Sequence, residues 1–190
     1  MVGALLVFAG CGSSDPVAVG GTTAVPAARV GTPAPSQRIR FVPTTIELPG
    51  AKRAPVETAS TVGGLLVVPE NVQRVGWWDG GAEAGDPYGA MVIAGHVDSA
   101  STGLGFFVRL LQMRAGELVT VSSRAYRATY KVITVHSIPK NALATVTFDQ
   151  TGRHRLVLIT CTGRYDRARG GYENNLVVTA TPVTPVTPAS

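Results

Sequence analysis

No stretch of this chain keeps apolar residues on a helical period for about ten residues or more, the length an ordinary helix needs. Short runs of β-forming residues recur instead, bounded by Gly, Pro, Asn and Asp. They are Thr45–Leu48, Gly64–Pro69, Ala90–Ala94, Leu118–Val121, Ala128–His136, Leu156–Thr160 and Asn175–Ala180. Ala54–Glu57 carries Pro55 and suits an edge piece or a strand start. Gly76 to Gly81 reads as a loop holding Trp77 and Trp78, one against the core and one near the surface; core packing and a groove wall both remain open for the pair. Phe106 to Leu111 is too densely apolar for alternation and reads as a short helical turn after a loop, and a further turn is expected near Pro139-Lys140-Asn141. The pattern predicts an all-β fold, barrel or sandwich.

With 190 residues, 45% of them hydrophobic, the chain can bury one real core. The net charge of +5 comes from 17 Lys and Arg against 12 Asp and Glu, and no Lys/Arg-dense run or basic–aromatic interleaving occurs. Nucleic-acid binding is therefore not expected. A modest positive excess suits an anionic surface or wall polymer without selecting either. The two cysteines, Cys11 and Cys161, lie far apart and do not form a disulfide framework.

Four segments follow from composition. Residues 1–11 are apolar up to Cys11 but shorter than the ~20 residues of a spanning helix. They read as an export signal or a truncated membrane anchor. Ala9-Gly10-Cys11 resembles a bacterial lipobox, which makes Cys11 a lipidation candidate; in the alternative the cysteine is incidental. Residues 12–44 are rich in Ser, Thr, Ala, Gly and Pro and read as a disordered linker. Residues 45–181 form the folded domain. Residues 182–190 repeat Pro every third position, which favours polyproline II and an unfolded tail.

Two buried strands end on chemistry. Leu156-Val157-Leu158-Ile159-Thr160 runs into Cys161-Thr162-Gly163, and Met91-Val92-Ile93-Ala94 runs into Gly95-His96-Val97-Asp98. A thiol at a strand end is held by the sheet yet open to solvent, and its nucleophilicity follows its thiolate fraction. A histidine is the side chain best suited to move a proton near neutrality. Arg164, Arg167 and Arg169 follow the cysteine closely, and an arginine there would stabilise an oxyanion. The plainer readings are a buried inert thiol, a structural histidine and an ordinary polar turn. His136 reads as structural and His154, between Arg153 and Arg155, as solvated. His96, Asp98 and Cys161 lack the paired spacing of a zinc site, so no metal or cofactor is expected.

Ala94-Gly95-His96-Val97-Asp98-Ser99, Leu158-Ile159-Thr160-Cys161 and Gly171-Tyr172-Glu173-Asn174-Asn175-Leu176-Val177-Val178 together resemble the sortase family, in particular its actinobacterial class F type. Val75-Gly76-Trp77-Trp78, Pro139-Lys140 and Gly163-Arg164-Tyr165-Asp166 extend the likeness, which runs from about Thr45 to Ala180. The resemblance implies a closed eight-stranded β-barrel and a thiol (cysteine) transpeptidase working outside the cytoplasm. Such an enzyme cleaves a Leu-Pro-x-Thr-Gly-like sorting signal between Thr and Gly and passes the acyl group to a cell-wall amine, with hydrolysis as a side reaction. It implies Cys161 as nucleophile and His96 as general acid/base. It also implies an arginine at the oxyanion, for which Arg169 is favoured and Arg164 is the alternative. An ungapped comparison with the best-known sortases puts Asn174 at the arginine's usual place. Asp98, Thr160 and Asn174 are supporting residues. The partners implied are exported proteins bearing sorting signals and a cell-wall precursor amine, with membrane association through the N-terminus.

Two other functions are weighed against this one. A cell-wall L,D-transpeptidase would place a His-Gly shortly before its cysteine, which Leu158-Ile159-Thr160-Cys161 lacks. A non-catalytic exported lipoprotein or binding module would keep Cys161 in its core.

Overall fold

The computed structural model describes residues 38–143 and 145–189. The signal-like segment with Cys11, and the linker up to residue 37, lie outside the described residues. Eight strands make a barrel: β1 Thr45–Leu48, β2 Lys52–Ala59, β3 Val75–Trp78, β4 Ala90–Ala94, β5 Leu118–Ser122, β6 Tyr126–Pro139, β7 Arg155–Asp166 and β8 Gly171–Pro182. Their order is β8-β7-β4-β3-β2-β1-β5-β6, and pairing of β6 with β8 closes the ring. Closure removes most of the free edges that an open sheet would expose. The all-β expectation holds, with the eight-stranded barrel that the resemblance implied.

The pairings are antiparallel except for two. β2 runs parallel to β3, and β4 runs parallel to β7 through Arg155↔Ala90 to Ile159↔Ala94. Parallel strands need both faces covered, and their sequences lose the alternation of half-buried strands. Ala90–Ala94 and Leu156–Thr160 accordingly are buried at every position. Met91, Ile93, Leu156 and Leu158 point into the barrel, with Ile46, Val75, Val119, Tyr130 and Val178. Ala90, Val92, Ala94, Val157 and Ile159 point outward into a second apolar cluster.

That outer cluster needs a cover, and three pieces supply it. Thr61–Val62 and Leu65–Leu66 form a small hairpin outside the barrel, from which Leu66 and the following Val68 pack on the cluster. Leu143 and Phe148 come from the connection between β6 and β7, which contains the helix Thr145–Phe148, α1. Trp78 sets its ring edge-on to Phe148, with centroids 5.1 Å apart.

Several expectations need correction. Residues 64–69 do not supply a barrel strand; they lie in the outer cover, where Leu65 is 73% exposed. The barrel instead uses Val75–Trp78, expected to be a loop, and the pleat sends its two tryptophans to opposite faces. Trp77 is buried inside, with its Nε1–H donating to the Ala82 carbonyl at 3.1 Å. Trp78 faces out and donates to Thr61 Oγ1 at 3.0 Å. The ordered domain also begins before residue 45: Phe41 is buried, bridges to Ala84 and packs against Tyr126.

The Pro-rich tail returns along β6 rather than standing free. Thr187–Pro188 pairs with Tyr126 and Arg127, and Val186 packs on the core. The prolines are spaced so that other residues supply the donors: Val183 N–H bonds to Thr129 O and Ala189 N–H to Ala125 O. At this end of the barrel His154 is buried, not solvated, and shares a 2.9 Å hydrogen bond with the buried Tyr130 hydroxyl.

Candidate active site

The β4–β7 register positions the site. Ile159 pairs with Ala94, so the next residues of both strands leave the sheet side by side. The Gly95 N–H donates to Ile159 O at 3.1 Å, and the buried Thr160 hydroxyl donates to Gly95 O at 2.8 Å. Two residues past that pair, on each strand, come Cys161 and His96. Both line a groove of about 390 Å³ on the outer side of the barrel. Its apolar wall comes from the cover, through Leu65, Leu66, Val68, Leu143 and Phe148.

The backbone around His96 is closely packed. A Cβ on Gly95 would lie 2.9 Å from Val75 Cγ1 and 3.0 Å from Phe107 Cδ2. A Cβ on Gly105 would lie 2.4 Å from the His96 carbonyl oxygen. The 3-10 turn Phe106–Gln112, which was expected from the apolar density there, thus presses directly on the histidine segment.

Cys161 is half-buried, on the same outer face as Ile159. Burial pushes its thiol above the ordinary value; Lys140 draws it down and Asp98 adds to the rise. Burial thus favours the neutral thiol over the thiolate. Asp98 begins a two-residue ladder, Asp98–Ser99 against Gly103–Leu104, and its Oδ2 accepts from the Tyr172 hydroxyl at 2.5 Å. That bond, more than desolvation, pushes Tyr172 up to about 12. It ties the start of β8 to the segment that carries His96.

The other expected residues are placed as follows. Gly163, at φ +88°, sits in an irregularity between Thr162 and Tyr165 that turns β7 away after the cysteine. Arg164 lies beyond it, exposed. Arg169 ends the 3-10 turn Arg167–Arg169, exposed, with its Nε 3.3 Å from Asp166 Oδ2. Neither arginine lines the groove. Asn174 pairs with Thr162 and lies against Gly163, whereas Asn175 is the residue opposite Cys161, buried and in the groove.

Two groove residues escaped the sequence reading of the site. Asn175 was signalled by the alternation of Leu176, Val178 and Ala180 inward, which turns residues 175 and 177 outward with Cys161. Lys140 had no such periodic signal, because it lies on the turn Lys140–Ala142 just past β6. No group of His, Cys, Asp and Glu that would hold a metal occurs among the described residues.

Known proteins agree with this architecture. The Sortase domain profile matches residues 49–183. Among solved structures, SrtA sortase from Actinomyces oris superposes with a TM-score of 0.58 at 17% identity, covering 78% of this chain and 82% of its own. Sortase C-1 from Actinomyces oris gives 0.56 at 22% identity, over 74% and 73% of the two chains. Sortase E1 from Streptomyces coelicolor, solved with a tripeptide in its active site, gives 0.56 at 18% identity over 82% and 93%. Curated proteins give no match. The structural likenesses speak for the fold; the profile spans well over half of the sequence, and with it this chain belongs to the sortase family.

Proposed function

We propose that the protein is a cysteine transpeptidase acting on a Leu-Pro-x-Thr-Gly-like sorting signal, with Cys161 as nucleophile and His96 as general acid/base. Sortases are in general cysteine transpeptidases of the cell wall, and the observation that supports the specific reading is the β4–β7 register. It brings a half-buried thiol and a histidine to neighbouring strand ends in one groove. The apolar wall beside them suits the Leu and Pro of such a signal.

The chemistry follows from the groups. His96 takes the thiol proton and the Cys161 sulfur attacks the Thr carbonyl carbon. The Thr–Gly C–N bond breaks, and His96 returns the proton to the leaving amine. An acceptor amine, supplied by a cell-wall precursor, then attacks the thioester; His96 takes the amine's proton and restores the thiol. Water in that place gives hydrolysis. Thr160 and Asp98 act by position, Thr160 through Gly95 and Asp98 through Tyr172. The arginine role expected of Arg169 would require it to leave Asp166 and fold back over the groove.

The class F resemblance, an extracytoplasmic location and N-terminal membrane association belong to the same proposal. They are supported by the motif set and by the signal-like segment before residue 12. No helix among the described residues is long and apolar enough to cross a membrane.

The test incubates the full chain with a panel of fluorogenic sorting peptides and an amine acceptor, followed by intact mass. A thioacyl adduct and a ligated product, both lost in Cys161→Ala, are expected; His96→Ala should keep at most a trace of turnover. No turnover on any peptide, with a Cys161 that alkylates only on unfolding, would favour a binding module.

A further inference from the structure

Four consecutive strands of the barrel, β6, β8, β7 and β4, converge on the groove at the same end. β4 leads to His96 and β7 to Cys161; Asn175 on β8 stands opposite Cys161, and β6 ends at Pro139, opposite Asn174. The residue after Pro139 is Lys140, and it lines the groove with the other three. Its Nζ lies 3.8 Å from the point a Cβ on Gly171 would occupy, an ordinary contact distance from the start of β8. No carboxylate pairs with Lys140 among the described residues, whereas Arg169 is held by Asp166 and Arg164 is exposed outside the groove. Among the described residues, Lys140 is the one Lys or Arg in the groove lining.

We propose that Lys140 is the oxyanion-facing cation of this active site, filling the part that the family resemblance would give to an arginine after the cysteine. The inference rests on the transpeptidase reading given above. Its ammonium donates to the carbonyl oxygen as that oxygen gains charge during attack by Cys161, and releases it when the carbonyl reforms. The same charge favours the Cys161 thiolate, opposing burial and Asp98. A lysine offers a mobile point charge where an arginine offers a fixed fork, so it can follow the oxygen but orients it less.

The test compares wild type with Lys140→Met, Lys140→Gln, Lys140→Arg and Arg169→Ala, each in the full chain. Two readouts are taken: kcat and KM for peptide ligation, and the pH midpoint of Cys161 alkylation in the folded protein. Lys140→Met and Lys140→Gln should lower kcat by about 10²–10³-fold with little change in KM, the scale of a lost oxyanion donor. Both should move the alkylation midpoint upward, and Lys140→Arg should restore it. An unmoved midpoint and a kcat within threefold of wild type, in either neutral variant that keeps the wild-type Tm, would overturn the assignment. So would an Arg169→Ala loss as deep as that of Cys161→Ala beside active Lys140 variants. Should wild type ligate no peptide, the transpeptidase reading fails; the alkylation midpoint still reports whether Lys140 sets the charge at Cys161.

Discussion

At the scale of the residue, Thr160 shows how much of the site is held from inside. Its buried hydroxyl is the side-chain link between the cysteine strand and the backbone just before His96. Thr160→Val keeps the shape and the β preference but leaves the Gly95 carbonyl without that donor. A cost of about 1–3 kcal/mol is expected from the unmet acceptor. Chemical denaturation measures it, and turnover under conditions where the variant is fully folded should fall as well, because the His96 segment loses its tether. A full-strength Thr160→Val enzyme would contradict the tethering. Cys161 and His96 were legible as candidates because each follows an apolar run that ends in small or polar residues. The groove partners were harder to read. Asn175 differs from Asn174 only by the pleat, and a one-residue slip in register exchanges the faces of a strand. Lys140 depends on where a fourteen-residue strand ends, and no period in the sequence marks that point.

At the scale of the element, the parallel pair β4–β7 explains both the legible and the illegible parts of the fold. Continuous burial made its strands the clearest apolar runs in the chain. The same burial demands an outer layer, and that layer is made of pieces too short to announce themselves: a hairpin with two-residue arms and a four-residue helix. Residues 64–69 looked like a strand because a covering segment and a barrel strand need the same apolar side chains. Trp77 and Trp78 looked like a loop because Gly76 and Gly80 bracket them. In fact Gly76 is required by packing, since a Cβ there would lie 2.6 Å from Ala59 Cβ. Gly95 has a similar role beside the site. Gly95→Ala is expected to cost about 1–3 kcal/mol by overpacking against Val75 and Phe107. It should also reduce turnover, with melting and ligation assays on one preparation separating the two losses. Wild-type melting together with wild-type turnover would mean that the neighbouring side chains yield freely.

At the scale of the whole molecule, the end of the barrel opposite the groove carries its own consequences. His154 is buried against Tyr130, and burial holds its imidazole below the ordinary value of 6.5, with nearby Asp86 opposing and Arg155 reinforcing the shift. A depressed folded-state value means that the unfolded chain binds the proton first. The stabilisation is therefore present above about pH 6.5 and is lost as pH falls toward the folded value. Tm should drop on acidification from pH 7 to 5, and His154→Gln should flatten that drop; equal slopes would remove His154 as the cause. The tail makes a second case. Removing residues 183–190 strips Val186 from the core and the Thr187–Pro188 pairing from β6. Partial burial of one valine and two backbone hydrogen bonds together contribute about 1–3 kcal/mol. Melting of the truncated chain should move down by about 2–4 °C for each kcal/mol. The tail was misread because proline spacing describes an isolated segment well but says nothing of an edge that can receive one.

The parallel register of β4 and β7 also bears on when the thiol becomes useful. Thr160 and Gly95 meet across 65 residues of chain. Contacts of that range form only after the intervening loop entropy has been met, late in the assembly of a barrel. A chain still folding has a cysteine but no histidine beside it, no groove and no wall. Its sulfur meets the histidine and the groove only once the ring is shut.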